Sequence, residues 1–369
     1  MKLDFLREFD FFTGVPDSQL KPLVDYLLET YGISEQHIIA ANEGSSVALA
    51  AGYYLATGKI PVVYLQNSGI GHIVNPVASL MNEQVYGIPC VFIVGWRGEP
   101  GVADEPQHVF QGETTVALLE EIGIKTFILR KETTDEEVKT QMDDFREWLS
   151  AGKQVAFVVC KSALSFEGNG QKAETQDALL REEILRHIVE AAGDDIIVST
   201  TGKASRELFE IREAKKQGHS RDFLTVGSMG HSSSIALSIA LQQKEKRIWC
   251  VDGDGAALMH MGAMAVIGAN QPQNLVHIVI NNGAHETVGG APTVAQQIDL
   301  RHIAQGCGYQ HIRYARSAEE LTDVLQEVRA KDGLWFVEIL SRAGSRKDLG
   351  RPTTTPKQNK EAFMERLQG

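Results

Sequence analysis

Cys250-Val-Asp-Gly-Asp254-Gly-Ala256 is followed, twenty-eight positions after Asp254, by Asn282 in Val279-Ile-Asn281-Asn282-Gly283-Ala284. The sequence around this pair reads as one β-α-β unit. Lys246–Asp252 (KRIWCVD) is an apolar run of strand length, Ala256–Gly268 is rich in Ala and Met with a helical pattern, and Leu275–Ile280 (LVHIVI) is again β-branched. Two parallel strands joined by a crossover helix put both following loops at the carboxyl edge of one sheet, where open α/β sheets bind ligands. Gly253 and Gly255 let the backbone turn tightly about Asp254 and come close to phosphate oxygens. A hard divalent cation that holds a diphosphate needs oxygen ligands on rigid backbone, which Asp254 and Asn282 can supply side by side. Gly-Asp-Gly alone is equally an ordinary βα turn; the amide at the end of the next strand is what favours a Mg-diphosphate grip. Leu258 stands where a dinucleotide fingerprint requires Gly, and no Gly-x-x-x-x-Gly-Lys-Ser/Thr is present, so nicotinamide and P-loop readings recede.

At 369 residues the chain has room for two domains, and 43% apolar with 23% charged residues is the composition of a soluble globular protein. No run of about 18 uncharged apolar residues occurs, and acids interrupt the opening MKLDFLREFDFF. A cytoplasmic protein without membrane contact is expected. The net charge of −12 speaks against a nucleic-acid surface and makes any cluster of cations conspicuous. Cys90, Cys160, Cys250 and Cys307 show no Cys-x-x-Cys spacing, and apolar neighbours make Cys160 and Cys250 buried thiols, as in a reducing compartment.

Ser162–Asp177 (SALSFEGNGQKAETQD) is polar and aperiodic, so a linker over residues 166–177 separates domains at 1–165 and 178–369. Six short apolar runs alternate with helical stretches on each side. Before the linker they are Phe11–Gly14, Ile38–Ala41, Pro61–Leu65, Cys90–Gly95, Lys125–Leu129 and Val155–Cys160. After it they are Ile196–Thr200, Phe223–Val226, Arg247–Val251, Leu275–Ile280, His311–Tyr314 and Leu334–Leu340. The alternation predicts an α/β fold of two doubly wound, six-stranded parallel sheets. The halves echo each other: Gly44-Ser-Ser-Val-Ala-Leu49 resembles His231-Ser-Ser-Ser-Ile-Ala-Leu237, and Leu65-Gln-Asn-Ser-Gly69 resembles Val251-Asp-Gly-Asp-Gly255, in the same order, which reads as a duplicated module.

Gly253-Asp254-Gly255 with Asn281-Asn282 resembles the signature of the thiamine diphosphate enzymes. The resemblance implies that Asp254, Asn282 and the Ala284 carbonyl ligate Mg2+, that the first domain binds the cofactor's pyrimidine, and that the second, with its C-terminal basic tail, binds the diphosphate. It also implies one acid hydrogen-bonded to the pyrimidine. Glu43, at the end of an apolar strand and before the small-residue helix Ser45–Thr57, is the candidate; an acid complementing the helix dipole is the alternative. Met229 stands where these enzymes place an apolar wedge beneath the cofactor, although a Met there also serves as core filler. Ser199-Thr-Thr201-Gly202-Lys203 closes a strand and opens a helix, so Thr201 and Gly202, with Gly253, Gly255 and Ala256, are expected around the diphosphate; helix capping accounts for the hydroxyls equally well.

Within that superfamily the chain resembles the phosphonopyruvate decarboxylases, with sulfopyruvate decarboxylases next. The resemblance lies in Thr13-Gly-Val-Pro-Asp17-Ser, Asn42-Glu43-Gly-Ser, Trp96-Arg97-Gly-Glu-Pro-Gly, Asp104-Glu-Pro-Gln-His108 and Ser341-Arg342-Ala-Gly-Ser-Arg346-Lys347-Asp-Leu-Gly-Arg351-Pro. It implies decarboxylation of 3-phosphonopyruvate to phosphonoacetaldehyde and carbon dioxide in phosphonate biosynthesis, and a homodimer or larger assembly with active sites at the subunit interface. A small, highly charged anion needs fixed cations, and Arg342, Arg346 and Arg97 are the candidates; a solvated basic tail is the alternative for the first two. Asp17 and His108 suit proton transfer, with His72 and His285 as rivals. A cofactor-binding regulatory subunit without catalysis is the remaining alternative, which the joint presence of Glu43, Asp254 and Asn282 disfavours.

Overall fold

The computed structural model describes residues 3–168 and 178–369, so most of the expected linker, from 169 to 177, lies outside the described residues. The chain divides into two compact units, residues 1–172 and 173–369.

In the first unit, strands β1 (Phe12–Gly14), β2 (His37–Ile39), β3 (Val62–Gln66), β4 (Cys90–Gly95), β5 (Lys125–Leu129) and β6 (Gln154–Val159) form a parallel sheet in the order β2-β1-β3-β4-β6-β5. Helices α1 (Lys21–Tyr31), α2 (Glu43–Thr57), α3 (Ile70–Pro76), α4 (Pro106–Glu121) and α5 (Asp135–Ser150) supply the connections. The central strands CVFIVG and QVAFVV are buried at every position, as a sheet covered on both faces requires. Local chemistry sets the helix starts: the Asn42 side chain accepts from Ser45 N at 2.9 Å to cap α2, and Thr134 with Glu137 forms a capping box on α5.

The second unit repeats the plan. Its principal strands are β8 (Ile196–Ser199), β9 (Asp222–Leu224), β10 (Ile248–Gly253), β11 (Leu275–Asn281), β14 (His311–Ala315) and β15 (Trp335–Arg342), in the order β9-β8-β10-β11-β15-β14. Counted within each unit, both sheets run 2-1-3-4-6-5. The sequence echoes fall at matching places, on α2 and α8 (Ser232–Gln242) between second and third strands, and at the ends of β3 and β10. Alternate strand residues face opposite helix layers. Trp249, Val251, Ile278 and Val337 pack with α6 (Arg181–Ala192), α7 (Lys203–Lys215) and α12 (Ala318–Ala330). Cys250, Val279 and Phe336 pack with α8, α9 (Asp254–Met259), α10 (Gly262–Asn270), α11 (Leu300–Cys307) and α13 (Pro356–Gln368). All four cysteines are free thiols, and three of them are buried.

All twelve expected runs are strands, with ends within two residues of the expectation. Two details differ. A seventh strand, β7 (Leu179–Leu180), pairs with the end of β15, held by Ser341 Oγ donating to Leu179 O at 3.0 Å; two residues carry no periodicity to read. The helix expected over Ala256–Gly268 is broken into α9 and α10, because His260 leaves helical geometry (φ −129°, ψ 47°) ahead of Gly262, a weak helix former. A short hairpin of β12 (Ala284–His285) and β13 (Ala291–Pro292) follows β11. Among the described residues no helix is long and apolar enough to cross a membrane.

Arg212 on α7 grips Asp222 on β9 through two bonds of 2.8 and 2.9 Å, with both side chains fully buried. Removing one partner strands the other charge without solvent, so Arg212→Ala is expected to lower unfolding free energy by about 3–5 kcal/mol, read from the urea midpoint. A midpoint equal to wild type contradicts this.

Candidate active site

In each sheet the winding reverses between the first and third strands, which opens a crevice at their carboxyl ends. In the second unit that crevice is bounded by Thr200-Thr201-Gly202 after β8 and Gly253-Asp254-Gly255 after β10. Gly202 takes φ +89° before α7, a conformation L side chains rarely adopt, and Thr201 Oγ1 accepts from Gly227 N at 3.1 Å. Gly253 is the N-cap of α9, so the first amides of that helix have no acceptor within it. Met229, half-buried in the loop before α8, ends 3.2 Å from where a Cβ on Gly255 would stand, and His285 lies 3.0 Å from the same point. Met229 and His285 therefore both rest on the Gly-Asp-Gly turn. Burial lowers the His285 imidazole to about 4, so it is neutral at physiological pH.

The residues implied for a magnesium ion come together. β10 and β11 are paired neighbours, Gly253 opposite Ile280, so Asp254 and Asn282 leave adjacent strand ends. Thr293 ties the two loops: its Oγ1 donates to Asp254 Oδ2 at 2.5 Å, and its amide donates to Gly283 O at 2.9 Å. Asn282 Oδ1 accepts from Ala284 N at 3.0 Å, closing a turn through Gly283 at φ +68°. Ala284 sits opposite Pro292 with bonded neighbours on either side, the register in which its carbonyl points away from the hairpin partner. Asp254 is 3% exposed, and its partners are the Thr293 hydroxyl and backbone amides including Gly255 and Gly283, all neutral. Burial without compensating charge raises its carboxyl to about 6. A buried carboxylate, an amide oxygen and a free-facing carbonyl make a hard-oxygen donor set that lacks positive charge, which fits a divalent cation.

The first unit gathers a second cluster at the ends of β1, β2, β3 and β4. Glu43, 5% exposed, opens α2 with Oε2 2.5 Å from His72 Nδ1, and the hydrogen bond raises the His72 pKa. Gly69 permits this approach, since a Cβ there would overlap the Glu43 carboxylate. Asp17, fully buried after β1, accepts from Gln66 Nε2 at 2.5 Å and Gln19 N at 3.0 Å; burial raises its pKa, against the pull of Gln66 and Arg97. Arg97 is clamped by Asp104 (Nε to Oδ2 2.8 Å) and donates to Ser18 Oγ at 3.2 Å. His108, in the first turn of α4, is buried with Nδ1 lacking a hydrogen-bond partner among the described residues; burial, then the Arg97 charge, lowers its pKa. The Trp96-Arg97-Gly98 segment seats on α4 because a Cβ on Gly98 would strike His108 O and one on Gly112 would strike Gly98 O, while Trp96 Nε1 donates to Gly112 O at 2.8 Å.

The tail arginines part company. Arg342 ends β15, half-buried, with Nε lacking a partner among the described residues. Arg346 is used within the second unit: it pairs with Glu182 on α6 at 2.7 Å, with Glu210 on α7, and with Asp348 at 3.3 Å. Arg206 donates to Gly350 O at 2.6 Å, so the segment is held to α6 and α7 while Arg346, Lys347 and Arg351 stay exposed. Gln66 and Thr293 are members of these clusters that sequence reasoning did not single out for a role.

Residues 3–120 match the thiamine pyrophosphate enzyme N-terminal TPP binding domain, and residues 200–339 match the corresponding C-terminal TPP binding domain. The phosphonopyruvate decarboxylase of Streptomyces viridochromogenes is 34% identical over 93% of this chain and 87% of its own length, and that of Streptomyces hygroscopicus is 32% identical over 95% and 89%. The sulfopyruvate decarboxylase of Methanosarcina acetivorans is 27% identical over 97% and 94%. Two parallel sheets wound alike, both thiamine pyrophosphate domains, and two phosphonopyruvate decarboxylases above 30% identity over nearly the whole chain place it in the phosphonopyruvate decarboxylase family of thiamine diphosphate-dependent decarboxylases.

Proposed function

We propose that this chain converts 3-phosphonopyruvate to phosphonoacetaldehyde and carbon dioxide in phosphonate biosynthesis, using thiamine diphosphate and Mg2+. The observation that supports the cofactor half is that Asp254 and Asn282 follow paired neighbouring strands, with Thr293 bonded to the Asp254 carboxylate and to the Gly283 carbonyl between Asn282 and Ala284. When bound, the cofactor supplies a thiazolium electron sink for the carboxylate's departing electron pair.

The chain's own groups do the rest. Asp254, Asn282 and the Ala284 carbonyl hold Mg2+, while Thr201, Gly202, Gly253, Gly255 and Ala256 present hydroxyl and amides to the diphosphate, and Met229 packs beneath. Glu43 hydrogen-bonds the pyrimidine and governs its protonation. Decarboxylation replaces a carbon–carbon bond by a carbon–hydrogen bond, so one proton must be delivered. Asp17, whose carboxyl burial favours the protonated form, and His108, whose imidazole burial favours the neutral form, are the groups proposed for proton transfer, and both feel the Arg97 charge. Arg97, held in place by Asp104, and Arg342, whose Nε has no partner among the described residues, are each proposed as a cation for the substrate's phosphonate. Arg346 is left out, because its guanidinium is occupied by three carboxylates. The proposal includes a cytoplasmic homodimer or larger assembly with active sites at the subunit interface, on the strength of the family.

The decisive assay supplies 3-phosphonopyruvate to the purified chain with and without thiamine diphosphate and Mg2+, with sulfopyruvate in parallel. Aldehyde and carbon dioxide are expected only with both additions, and faster from the phosphonate. Preference for sulfopyruvate, the substrate named for the Methanosarcina relative, would overturn the substrate assignment and leave the cofactor assignment standing.

A further inference from the structure

A side-chain amide has two ends, and only its oxygen can ligate a hard cation. Asn282 therefore serves a metal in one of its two orientations. Its Nδ2 donates to Glu286 Oε2 at 3.2 Å, and its Oδ1 accepts from Ala284 N at 3.0 Å with one lone pair still to give. Glu286 lies in the 3-10 turn Glu286–Val288 beyond β12 and is itself fixed from two directions. Arg181 at the start of α6 donates Nη1 to its Oε2 at 2.8 Å, and Lys203 at the start of α7 donates Nζ to its Oε1 at 2.9 Å. Arg181 is anchored in turn by Glu207, which accepts at 2.7 and 2.9 Å. The same turn rests on the loop after β8, with Thr287 Cγ2 3.4 Å from where a Cβ on Gly202 would stand.

Two consequences follow from this arrangement. A carboxylate four residues from a metal ligand would ordinarily compete for the cation, and here both of its oxygens are already held by positive side chains. It can accept from Asn282 Nδ2 and from nothing that would turn the amide over. We infer that Glu286 is a positioning residue for the metal: by holding Asn282 Nδ2 it fixes Oδ1 toward the cation and thereby sets the Mg2+ affinity of the site. This rests on the reading that Asn282 is a ligand.

The test uses the full chain at fixed thiamine diphosphate, with cofactor binding followed by quenching of protein fluorescence as MgCl2 is titrated. In E286A the half-saturating Mg2+ concentration is expected to rise about 10- to 100-fold, the usual cost of losing a group that orients a ligand. On an N282A background, where no amide remains to orient, E286A should add no further loss; a merely structural role would cost the same on both backgrounds. Should E286A not fold, E286D keeps the charge but is one methylene shorter and should show the same rise. Wild-type Mg2+ dependence in the folded variant, or an equal loss on the N282A background, overturns the inference. Absence of any Mg2+-dependent cofactor binding in the wild-type chain overturns the metal reading itself, and the inference with it.

Discussion

Glu43→Gln is expected to cut turnover of 3-phosphonopyruvate by about 100- to 10,000-fold, the range associated with loss of a positioned acid or base, while thiamine diphosphate still binds. Gln keeps the shape of Glu43 in its space over Gly69 and can still accept from His72 Nδ1, so the fold of the α2 start should persist. What Gln cannot do is exchange a proton with a pyrimidine nitrogen. The rival account, an acid answering the dipole of α2, predicts something different: a stability loss of about 0.3–1 kcal/mol with turnover intact. Single-turnover aldehyde release, alongside fluorescence titration of the cofactor, separates the two. Full activity in the variant removes Glu43 from the role.

The second large effect concerns Asp254. Asp254→Ala should abolish Mg2+-dependent cofactor binding in calorimetry, because it deletes the only carboxylate of the three-oxygen set; unchanged affinity would contradict the ligand assignment. The wild type should also carry a pH signature. Its carboxyl, near 3.8 in an unfolded chain, is raised to about 6 by burial among neutral partners. Raised in the fold, it stabilises the metal-free protein fully below pH ~3.8, and that contribution, of the order of 3 kcal/mol, is lost as pH rises through about 6. Magnesium must displace the proton, so its affinity should fall by about tenfold per unit below pH ~6 and level off above it. In Asp254→Ala neither dependence should remain.

The strands were legible because a sheet covered on both faces needs continuous β-branched runs, and Cys90–Gly95 or Leu275–Ile280 have no other use for theirs. Asp254 and Asn282 were legible because one β-α-β unit joins them, so local order fixes their adjacency. Thr201 and Gly202 followed from the end of a strand and the start of a helix, whereas Met229 came from the family resemblance. Partnerships chosen by tertiary packing were not legible. Nothing local links Gln66 to Asp17 across 49 positions, or Glu286 to Arg181 across 105. Thr293 shows why: its hydroxyl meets Asp254 only because β13 folds back on β12, and a two-residue hairpin arm leaves no pattern to read. Arg346 was a cation in the right segment, and only the positions of Glu182 and Glu210 on two helices show where its charge is used.

The shared 2-1-3-4-6-5 winding also bears on how such a protein is produced. Glu43 belongs to one winding and the Asp254–Asn282 pair to the other, so on the roles proposed for them neither half would have the whole apparatus by itself. Translated as a single polypeptide, the two are made in strict one-to-one ratio and kept at high local concentration whatever the expression level.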